Sequence, residues 1–312
     1  MTITCRVCSM PFLDPHTFTA REMLQGRRDE FTYSECHFCK SLQIVEEPKD
    51  LGKYYEGNYY SHAKESAVKQ WLKRQWAKHS AGAFNPLGAI VSRIMGKHQV
   101  ISDIVGIGVP HNARILDIGC GNGTLLKMLR AIGYTSLTGV DPYRKQVELN
   151  GGVNLLTMMP QYVSYDVITM VHTLEHCFDP LATLKEAKDR LHKHGIMLVY
   201  IPVANSYAWS VYGTNWVALE APRHLTIPSA YGLELMCEQL DLKILDYKYV
   251  SNEYMFWGSE QYLKNIAMYE PGSYNLLRNL FPSKTFKQQR RMAQYLNNIE
   301  QSDSIVAILT HK

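Results

Sequence analysis

The segment Asp117–Gly123 has the composition of a loop that binds a ligand through its backbone: it reads D-I-G-C-G-N-G. It joins a short apolar strand at 114–118 to a helical pattern at 124–132. Glycines let the chain approach a ligand closely, and a helix N-terminus offers free N–H groups. The next predicted strand, 136–140, ends at Asp141, where an acidic residue can bind ribose hydroxyls. This pattern predicts a site for a nucleoside-containing cofactor.

A dinucleotide is the rival ligand, and two details count against it. The glycines are spaced G-x-G-x-G, whereas dinucleotide sites have G-x-G-x-x-G. Asp117 also places a carboxylate against the loop, which repels a pyrophosphate but suits an ammonium group. The ammonium of a methionine moiety is one group that suits this carboxylate.

Four cysteines near the N-terminus form two C-x-x-C pairs separated by 27 residues: Cys5, Cys8, Cys36 and Cys39. This number and spacing predict a closed, tetrahedral zinc site with a structural role. A redox dithiol is disfavoured because no thioredoxin-like βαβ pattern accompanies the pairs. An odd total of 7 cysteines, without a secretion signal, also argues against a disulfide framework.

The histidines are the natural candidates for a general base, because their pKa lies near neutrality. Residues 172–176 read H-T-L-E-H, which matches the inverted zinc-protease motif H-x-x-E-H. That motif requires a long helix, whereas this segment directly follows a predicted buried strand. His176 is therefore assigned to positioning, with capping of the next helix as the alternative. His224, in the segment A-P-R-H-L, follows an aromatic stretch and is the candidate base; a buried structural histidine is its alternative.

Composition and charge exclude several classes of protein. The chain has 312 residues, of which 46% are hydrophobic and 20% charged, as in ordinary globular proteins. Its net charge of +4 is too small and too evenly spread to predict a nucleic-acid partner. No segment approaches the roughly 18 apolar residues of a membrane span, and the N-terminus lacks a signal peptide's apolar region. We therefore expect a cytoplasmic protein without a membrane span.

Strands alternate with helices from about residue 112, with further strands expected near 153–156, at 166–171 and at 196–201, which predicts an α/β fold. Before them, a helix is expected around Trp71 and Trp76, and residues 85–88 are expected to interrupt any further helix. The expected architecture is a Rossmann-like doubly wound sheet, mostly parallel with an antiparallel last strand. A small zinc ribbon precedes it, and a helical insertion comes before the last strand. The predicted domains are a zinc-binding module at 1–45, a helical linker or lid at 46–105, and a catalytic domain at 106–312 whose insertion, 252–302, caps the substrate. Four tyrosines of the linker are expected to pack in the core, with pocket lining as the alternative: Tyr54, Tyr55, Tyr59 and Tyr60.

The chain resembles the class I S-adenosylmethionine-dependent methyltransferases. The resemblance rests on residues 117–123 together with Y-D-V-I at 165–168, L-E-H-C-F-D-P at 174–180 and Gly195. It implies that Asp117, Gly119 and Gly121 lie along the methionine part of the cofactor and that Asp141 binds the ribose. The predicted cofactor site is completed by Asn122, Gly123, Pro142 and His172. The family often has a polar residue for the adenine where this chain has T-M-M at 157–159, so that contact stays open.

The segment around His224 resembles methyltransferases of bacterial polysaccharide and sugar-nucleotide pathways, some of which carry an N-terminal zinc module. This resemblance implies O-methylation of a sugar or glycan-pathway intermediate, with C-methylation as the alternative and His224 as base. The acceptor is expected to be a small molecule or glycan, such as a nucleotide-linked sugar. Two other functions remain open, an rRNA or tRNA methyltransferase with a zinc ribbon and a non-catalytic cofactor-binding module. The acceptor atom and the oligomeric state are not predicted.

Overall fold

The computed structural model describes residues 2–13, 16–55, 66–144, 147–150, 152–270, 273 and 283–312. The strands are β1 Thr2–Thr4, β2 Pro11–Leu13, β3 His16–Arg21, β4 Glu30–Glu35, β5 Leu42–Ile44, β6 Arg114–Ile118, β7 Ser136–Val140, β8 Glu148–Asn150, β9 Val153–Leu156, β10 Tyr165–Val171, β11 Leu191–Pro202, β12 Thr226–Ile227, β13 Leu242–Tyr249 and β14 Ser304–His311. The helices are α1 Ala67–Ser80, α2 Pro86–Met95, α3 Gln99–Ile107, α4 Thr124–Ala131, α5 Pro180–Arg190, α6 Tyr207–Tyr212, α7 Ala230–Gln239, α8 Tyr254–Leu263 and α9 Lys284–Asn298. Two of the linker tyrosines, Tyr59 and Tyr60, lie outside the described residues. So does most of 271–282, which belongs to the predicted insertion.

The described chain forms two compact units. We call residues 57–171 and 189–197 the glycine-loop unit, and residues 1–56, 172–188 and 198–312 the cysteine unit. β11 and α5 have residues in both. The domain boundaries predicted from the sequence stay predictions.

Five strands of the glycine-loop unit lie in the order β10-β6-β7-β9-β8. The pairs β10–β6, β6–β7 and β7–β9 are parallel, and β8 returns antiparallel to β9. β6 is buried along its apolar residues Ile115, Leu116 and Ile118, as expected for a parallel strand covered on both faces. Helix α4 turns Leu126, Met128 and Leu129 inward. Strand β8 was not predicted, because three residues are too few to show a period.

Three helices precede this sheet in the glycine-loop unit, and the sequence predicted only the first of them. Residues 85–88 were expected to interrupt any further helix, which is wrong. The Asn85 side chain accepts a hydrogen bond from the N–H of Gly88, and Pro86 occupies the first turn of α2. Asparagine at the N-cap and proline at the next position favour a helix start. The N–P pair therefore begins α2.

In the cysteine unit, the N-terminal strands form a small antiparallel sheet with a short strand about 180 positions farther along the chain. Its order is β12-β5-β4-β3, and Thr226 and Ile227 of β12 pair with Gln43 and Leu42 of β5. β1 and β2 form a separate hairpin. The larger strands of this unit lie in the order β13-β14-β11, with β13 and β14 antiparallel. The segment with both cysteine pairs is therefore built into a sheet together with residues near 226.

The apolar core of the cysteine unit surrounds Trp216, which is fully buried and donates its indole N–H to the Asp303 carboxylate at 2.7 Å. It draws on residues from the whole length of this unit: Tyr33, Leu42, Ile44, Leu225, Ile227, Met255, Phe256, Ala293 and Leu296. Phe256 and Ala293 come from α8 and α9, two helices among the described residues of the predicted helical insertion. Among the described residues no helix is long and apolar enough to cross a membrane.

The expected α/β fold is confirmed, with a mostly parallel Rossmann-like sheet and an antiparallel last pair of strands. The strands predicted at 114–118 and 136–140 match β6 and β7 residue for residue. The strand predicted at 196–201 is longer, because β11 begins at Leu191.

A buried ion pair lies in the cysteine unit, with Arg223 and Glu22 both shielded from solvent. The guanidinium donates from Nη2 to Glu22 at 2.9 Å, from Nε to Glu220 at 2.9 Å and from Nη1 to the carbonyl of Tyr54 at 3.1 Å. Glu22 also accepts hydrogen bonds from the backbone N–H groups of Leu24, Gln25 and Arg27. Every charge in this cluster therefore has a partner, as burial requires.

We expect Glu22→Ala to lower the free energy of unfolding by about 3–5 kcal/mol, because it leaves the Arg223 charge buried with one carboxylate removed. Denaturant unfolding followed by circular dichroism measures this. Asp246→Ala is the control, since its pair with Lys248 at 2.8 Å is half exposed and such pairs contribute little. If the two variants had equal denaturant concentrations at the unfolding midpoint, the buried pair would not stabilise the unit.

Candidate functional site

The loop after β6 adopts a conformation that its three glycines make possible. Gly119, Gly121 and Gly123 have φ values of 77°, 51° and 73°, in the left-handed region that other residues rarely adopt. A Cβ on Gly123 would come within 2.8 Å of the Leu155 side chain. The G-x-G-x-G spacing is thus required by the backbone of this loop.

The loop N–H groups are largely used inside the glycine-loop unit. Gly119 and Cys120 both donate to the carbonyl of Val140, at 2.8 and 3.1 Å. Gly121 donates to the Asp141 carboxylate at 2.9 Å, and Gly123 to the carbonyl of Cys120 at 2.8 Å. These four N–H groups are therefore used within the protein, and a ligand contact of the helix N-terminus stays a prediction.

Asp117 is buried at the end of β6 and accepts a hydrogen bond from the Thr169 hydroxyl at 2.8 Å. Burial raises the pKa of Asp117 to about 7, the Thr169 bond opposes this rise, and the nearby charge of Asp141 adds to it. A carboxylate so placed gains most from a cationic ligand, because a neighbouring positive charge stabilises its ionised form.

Asp141 directly follows β7, as predicted, and is buried. One carboxylate oxygen accepts from Gly121, and the other from the N–H of Tyr143 at 2.9 Å. A carboxylate oxygen can accept more than one hydrogen bond, so ribose hydroxyls remain possible partners. Asp141 therefore also has a structural role, because it ties the glycine loop to the end of β7.

Two other predicted cofactor residues have visible local roles. The Asn122 side chain accepts from the N–H and hydroxyl of Thr124, at 3.1 and 2.6 Å, at the start of α4. Pro142 is exposed in the turn after Asp141. Their contacts with a cofactor stay predictions.

His172 follows β10 directly and belongs to the cysteine unit. Its Nδ1 lies 3.1 Å from Oε1 of Glu175, and its backbone has a φ of 52°. Burial opposes the charged imidazole, but the bond to Glu175 together with the charges of Glu175, Glu220 and Asp303 raises the pKa of His172. The segment ends in a short 3-10 helix, Leu174–His176, which excludes the long helix that a protease motif needs. The cofactor role assigned to His172 remains a prediction.

His176 and His224 come together in the cysteine unit, with ring centroids 4.7 Å apart. Nδ1 of His224 lies 2.7 Å from the carbonyl of Ala218, and Nδ1 of His176 lies 3.0 Å from the carbonyl of Arg223. A carbonyl can only accept, so each Nδ1 carries the hydrogen and each neutral ring has its lone pair on Nε2. The Tyr55 hydroxyl also lies 3.0 Å from Nδ1 of His176.

The two histidines share their surroundings with a carboxylate. Glu175 is fully buried, and one of its oxygens lies within 4.8 Å of ring nitrogens of both His176 and His224. Burial and the charge of His176 lower the pKa of His224 to about 3, against an opposing effect of Glu175. Oε2 of Glu220 also lies nearby, 4.0 Å from Nε2 of His224. His224 is therefore neutral at physiological pH, and a proton taken up by its ring depends on the Glu175 carboxylate for stabilisation.

The loop that carries His224 is held by residues that the sequence analysis did not select. The Tyr33 hydroxyl donates to the carbonyl of His224 at 2.8 Å. The N–H of Leu225 donates to the carbonyl of Glu175 at 2.8 Å. Arg223 anchors the loop through Glu22. The sequence could have indicated Arg223, because it is a charged residue beside apolar ones. Nothing in the sequence near Glu22 and Tyr33 indicates their contacts with this loop, which lies about 200 positions away.

The four N-terminal cysteines form one cluster, and all are free thiols. The sulfurs of Cys5 and Cys39 lie 3.6 Å apart, and those of Cys8 and Cys36 lie 3.7 Å apart. Four sulfurs around a tetrahedral zinc, each at about 2.3 Å, lie about 3.8 Å from one another. The donor set and spacing therefore fit the zinc site that the sequence predicts.

Comparison with known proteins identifies the family. A model of the methyltransferase domain matches residues 60–247, more than half of the chain. The chain belongs to this methyltransferase family, which confirms the predicted resemblance to methyltransferases.

Curated relatives are more distant, and the chain spans about half of their length. A ubiquinone biosynthesis O-methyltransferase of Pelagibacter ubique is 28% identical over 120 residues, 34% of this chain and 50% of that protein. A tRNA U34 carboxymethyltransferase of Campylobacter jejuni is 28% identical over 142 residues, 41% of this chain and 49% of that protein.

Among solved structures, the [4+2]-cyclase SpnF gives a TM-score of 0.45 at 17% identity, covering 69% of this chain and 82% of its own. The plantazolicin methyltransferase BpumL, solved with S-adenosylhomocysteine, gives a TM-score of 0.40 at 16% identity. The match covers 78% of this chain and 97% of that chain.

For the cysteine cluster, we expect the chain to retain one zinc ion after washing with a weak chelator, and Cys36→Ser to release it, because a closed four-thiolate site loses most of its affinity with one ligand. Elemental analysis measures the metal. Cys237→Ala removes a buried thiol outside the cluster and should keep the ion. A chain without zinc, whose four clustered thiols react freely with a thiol reagent, would contradict the assignment.

Proposed function

We propose that the protein transfers a methyl group from S-adenosylmethionine to a hydroxyl oxygen of a sugar or glycan-pathway intermediate. Membership of the methyltransferase family supports the reaction type. The observation that carries the mechanism is the buried His224, whose Nδ1 is fixed by a backbone carbonyl so that Nε2 is free to accept a proton.

The cofactor side of the proposal uses the glycine-loop unit. S-adenosylmethionine, when bound, supplies a methyl group on a positively charged sulfur. Asp117 binds the ammonium of the methionine part, Asp141 the ribose hydroxyls, and the left-handed loop at Gly119, Gly121 and Gly123 provides the close backbone approach. Most of the catalytic effect comes from this positioning, because methyl transfer is an in-line displacement.

On the acceptor side, the hydroxyl oxygen forms the new bond to the methyl carbon as the carbon–sulfur bond breaks and its electrons return to sulfur. The hydroxyl proton goes to Nε2 of His224. The imidazolium that forms lies beside the Glu175 carboxylate, which stabilises the positive charge. His176, held by the Arg223 carbonyl and Tyr55, positions this group.

The acceptor class rests on the resemblance of residues 221–225 to sugar-pathway enzymes. The aromatic stretch before His224 contributes little to it, because Trp216 lies inside the core and Trp209 packs on Phe18. The tRNA relative makes RNA the second candidate.

The proposal is tested by incubating the protein with a donor that carries a labelled methyl group and with nucleotide sugars, glycans or tRNA as acceptor. Transfer of the label to a sugar supports the proposal. Transfer to tRNA alone would contradict it and identify RNA as the acceptor.

We expect His224→Ala to reduce turnover by roughly 10²–10⁴-fold with nearly unchanged cofactor affinity, the effect of removing a general base. His176→Ala should change affinity and turnover together. His192→Ala, at an exposed position, is the matched control. Near-normal turnover of His224→Ala, with complete loss in His176→Ala at unchanged affinity, would assign the base to His176.

We expect the affinity for S-adenosylmethionine to increase with pH up to about 7. The raised pKa of Asp117, about 7, means that its carboxyl is protonated below that pH and must lose the proton before it binds an ammonium. The dissociation constant should therefore fall by up to about tenfold per pH unit between roughly pH 5.5 and 7. Titration calorimetry measures this. Asp117→Asn should bind more weakly with a flat profile, and an equally steep profile in that variant would exclude Asp117.

A further inference from the structure

The cluster of Glu175, His176 and His224 has the donor set of a second metal site. Glu175 and His176 lie on the short 3-10 helix after His172, and His224 lies just before β12. One potential ligand atom of each lies within 4.8 Å of the other two. Ligand atoms on one tetrahedral zinc are about 3.4 Å apart, so the ligand atoms need to approach by at most about 1.4 Å.

Both histidines are arranged as metal ligands usually are. A metal-bound histidine typically donates its other ring N–H to a carbonyl or carboxylate, which fixes the tautomer and the ring. Here the carbonyls of Ala218 and Arg223 hold the two Nδ1 atoms at 2.7 and 3.0 Å. The Nε2 lone pairs of both rings are therefore available.

Glu175 supplies the second, independent observation. Its Oε1 is held by His172, but Oε2 is buried and has no hydrogen-bond partner among the described residues. An unpaired carboxylate oxygen in a buried position is costly. A cation between the carboxylate and the two rings would give this oxygen a partner.

The ligand chemistry defines the class of cation. Two imidazole nitrogens and one carboxylate favour zinc, iron(II) or cobalt(II), whereas magnesium and calcium prefer oxygen ligands alone. Three protein ligands also leave a position open to water or another molecule. The cysteine cluster, with four sulfurs, is a separate site of a different kind.

We propose that Glu175, His176 and His224 bind one divalent transition-metal ion, of which zinc is the representative. For the reaction, the consequence rests on the proposed function: Nε2 of His224 cannot hold a metal and accept the acceptor's proton at the same time. Occupancy of this site therefore inhibits methyl transfer, and the open site is the active form.

Metal binding is tested on the full chain, loaded with zinc, freed of excess by gel filtration and analysed for metal. Wild type should hold one ion more than His224→Ala and one more than Glu175→Gln, which keeps the size of the side chain. The exposed His192 and His194, with ring centroids 6.2 Å apart, are the alternative surface site. His192→Ala should therefore keep the additional ion. Equal zinc in wild type and His224→Ala, or loss of the ion in His192→Ala, overturns the proposal.

The consequence for the reaction is tested with wild type and the identified acceptor. Zinc added at increasing concentration should lower turnover to near zero, and a chelator too weak to remove the cysteine-bound ion should restore it. Binding without inhibition keeps the metal site but excludes its regulatory effect. Turnover that requires the additional ion would overturn the inhibitory assignment and also the role of His224 as base.

Discussion

The guanidinium of Arg223 is buried between Glu22 and Glu220, and the arrangement of the cysteine unit depends on it. A buried charge without a partner is strongly destabilising, so the turn that presents Glu22 and the loop that presents Arg223 must fold together. β12 then pairs with β5, and the Tyr33 hydroxyl reaches the carbonyl of His224. The cysteine-rich segment thereby becomes part of the scaffold that holds the candidate base.

Backbone groups also determine which ring nitrogens can react. The carbonyls of Ala218 and Arg223 accept from the Nδ1 atoms of His224 and His176, so the lone pair of each ring, when neutral, lies on Nε2. Burial keeps His224 neutral because water is absent to stabilise its charged form. A neutral imidazole beside an unpaired carboxylate oxygen can take up either a proton or a metal ion. The proposed chemistry and the proposed inhibition thus have one physical origin.

The glycine-loop unit shows a different use of the backbone. Its loop satisfies most of its own N–H groups, through Val140 and Asp141. What it offers a ligand is a desolvated carboxylate at Asp117 and a backbone free of side chains at three glycines. Such a surface favours a cation over a phosphate, since a buried carboxylate repels further negative charge. This agrees with the choice of a methionine-type cofactor over a dinucleotide.

Local patterns in the sequence determined the strands β6, β7 and β9, the glycine loop and the cysteine pairs, because hydrophobic period, glycine spacing and C-x-x-C pairs are properties of neighbouring residues. The sequence misjudged α2, since an N–P pair expected to interrupt a helix instead caps the start of one. Only the tertiary structure joined Glu175 and His176 to His224, and Glu22 to Arg223. These contacts connect residues about 50 to 200 positions apart, and they are specified by the burial of charges and hydrogen-bonding groups, which no local pattern records.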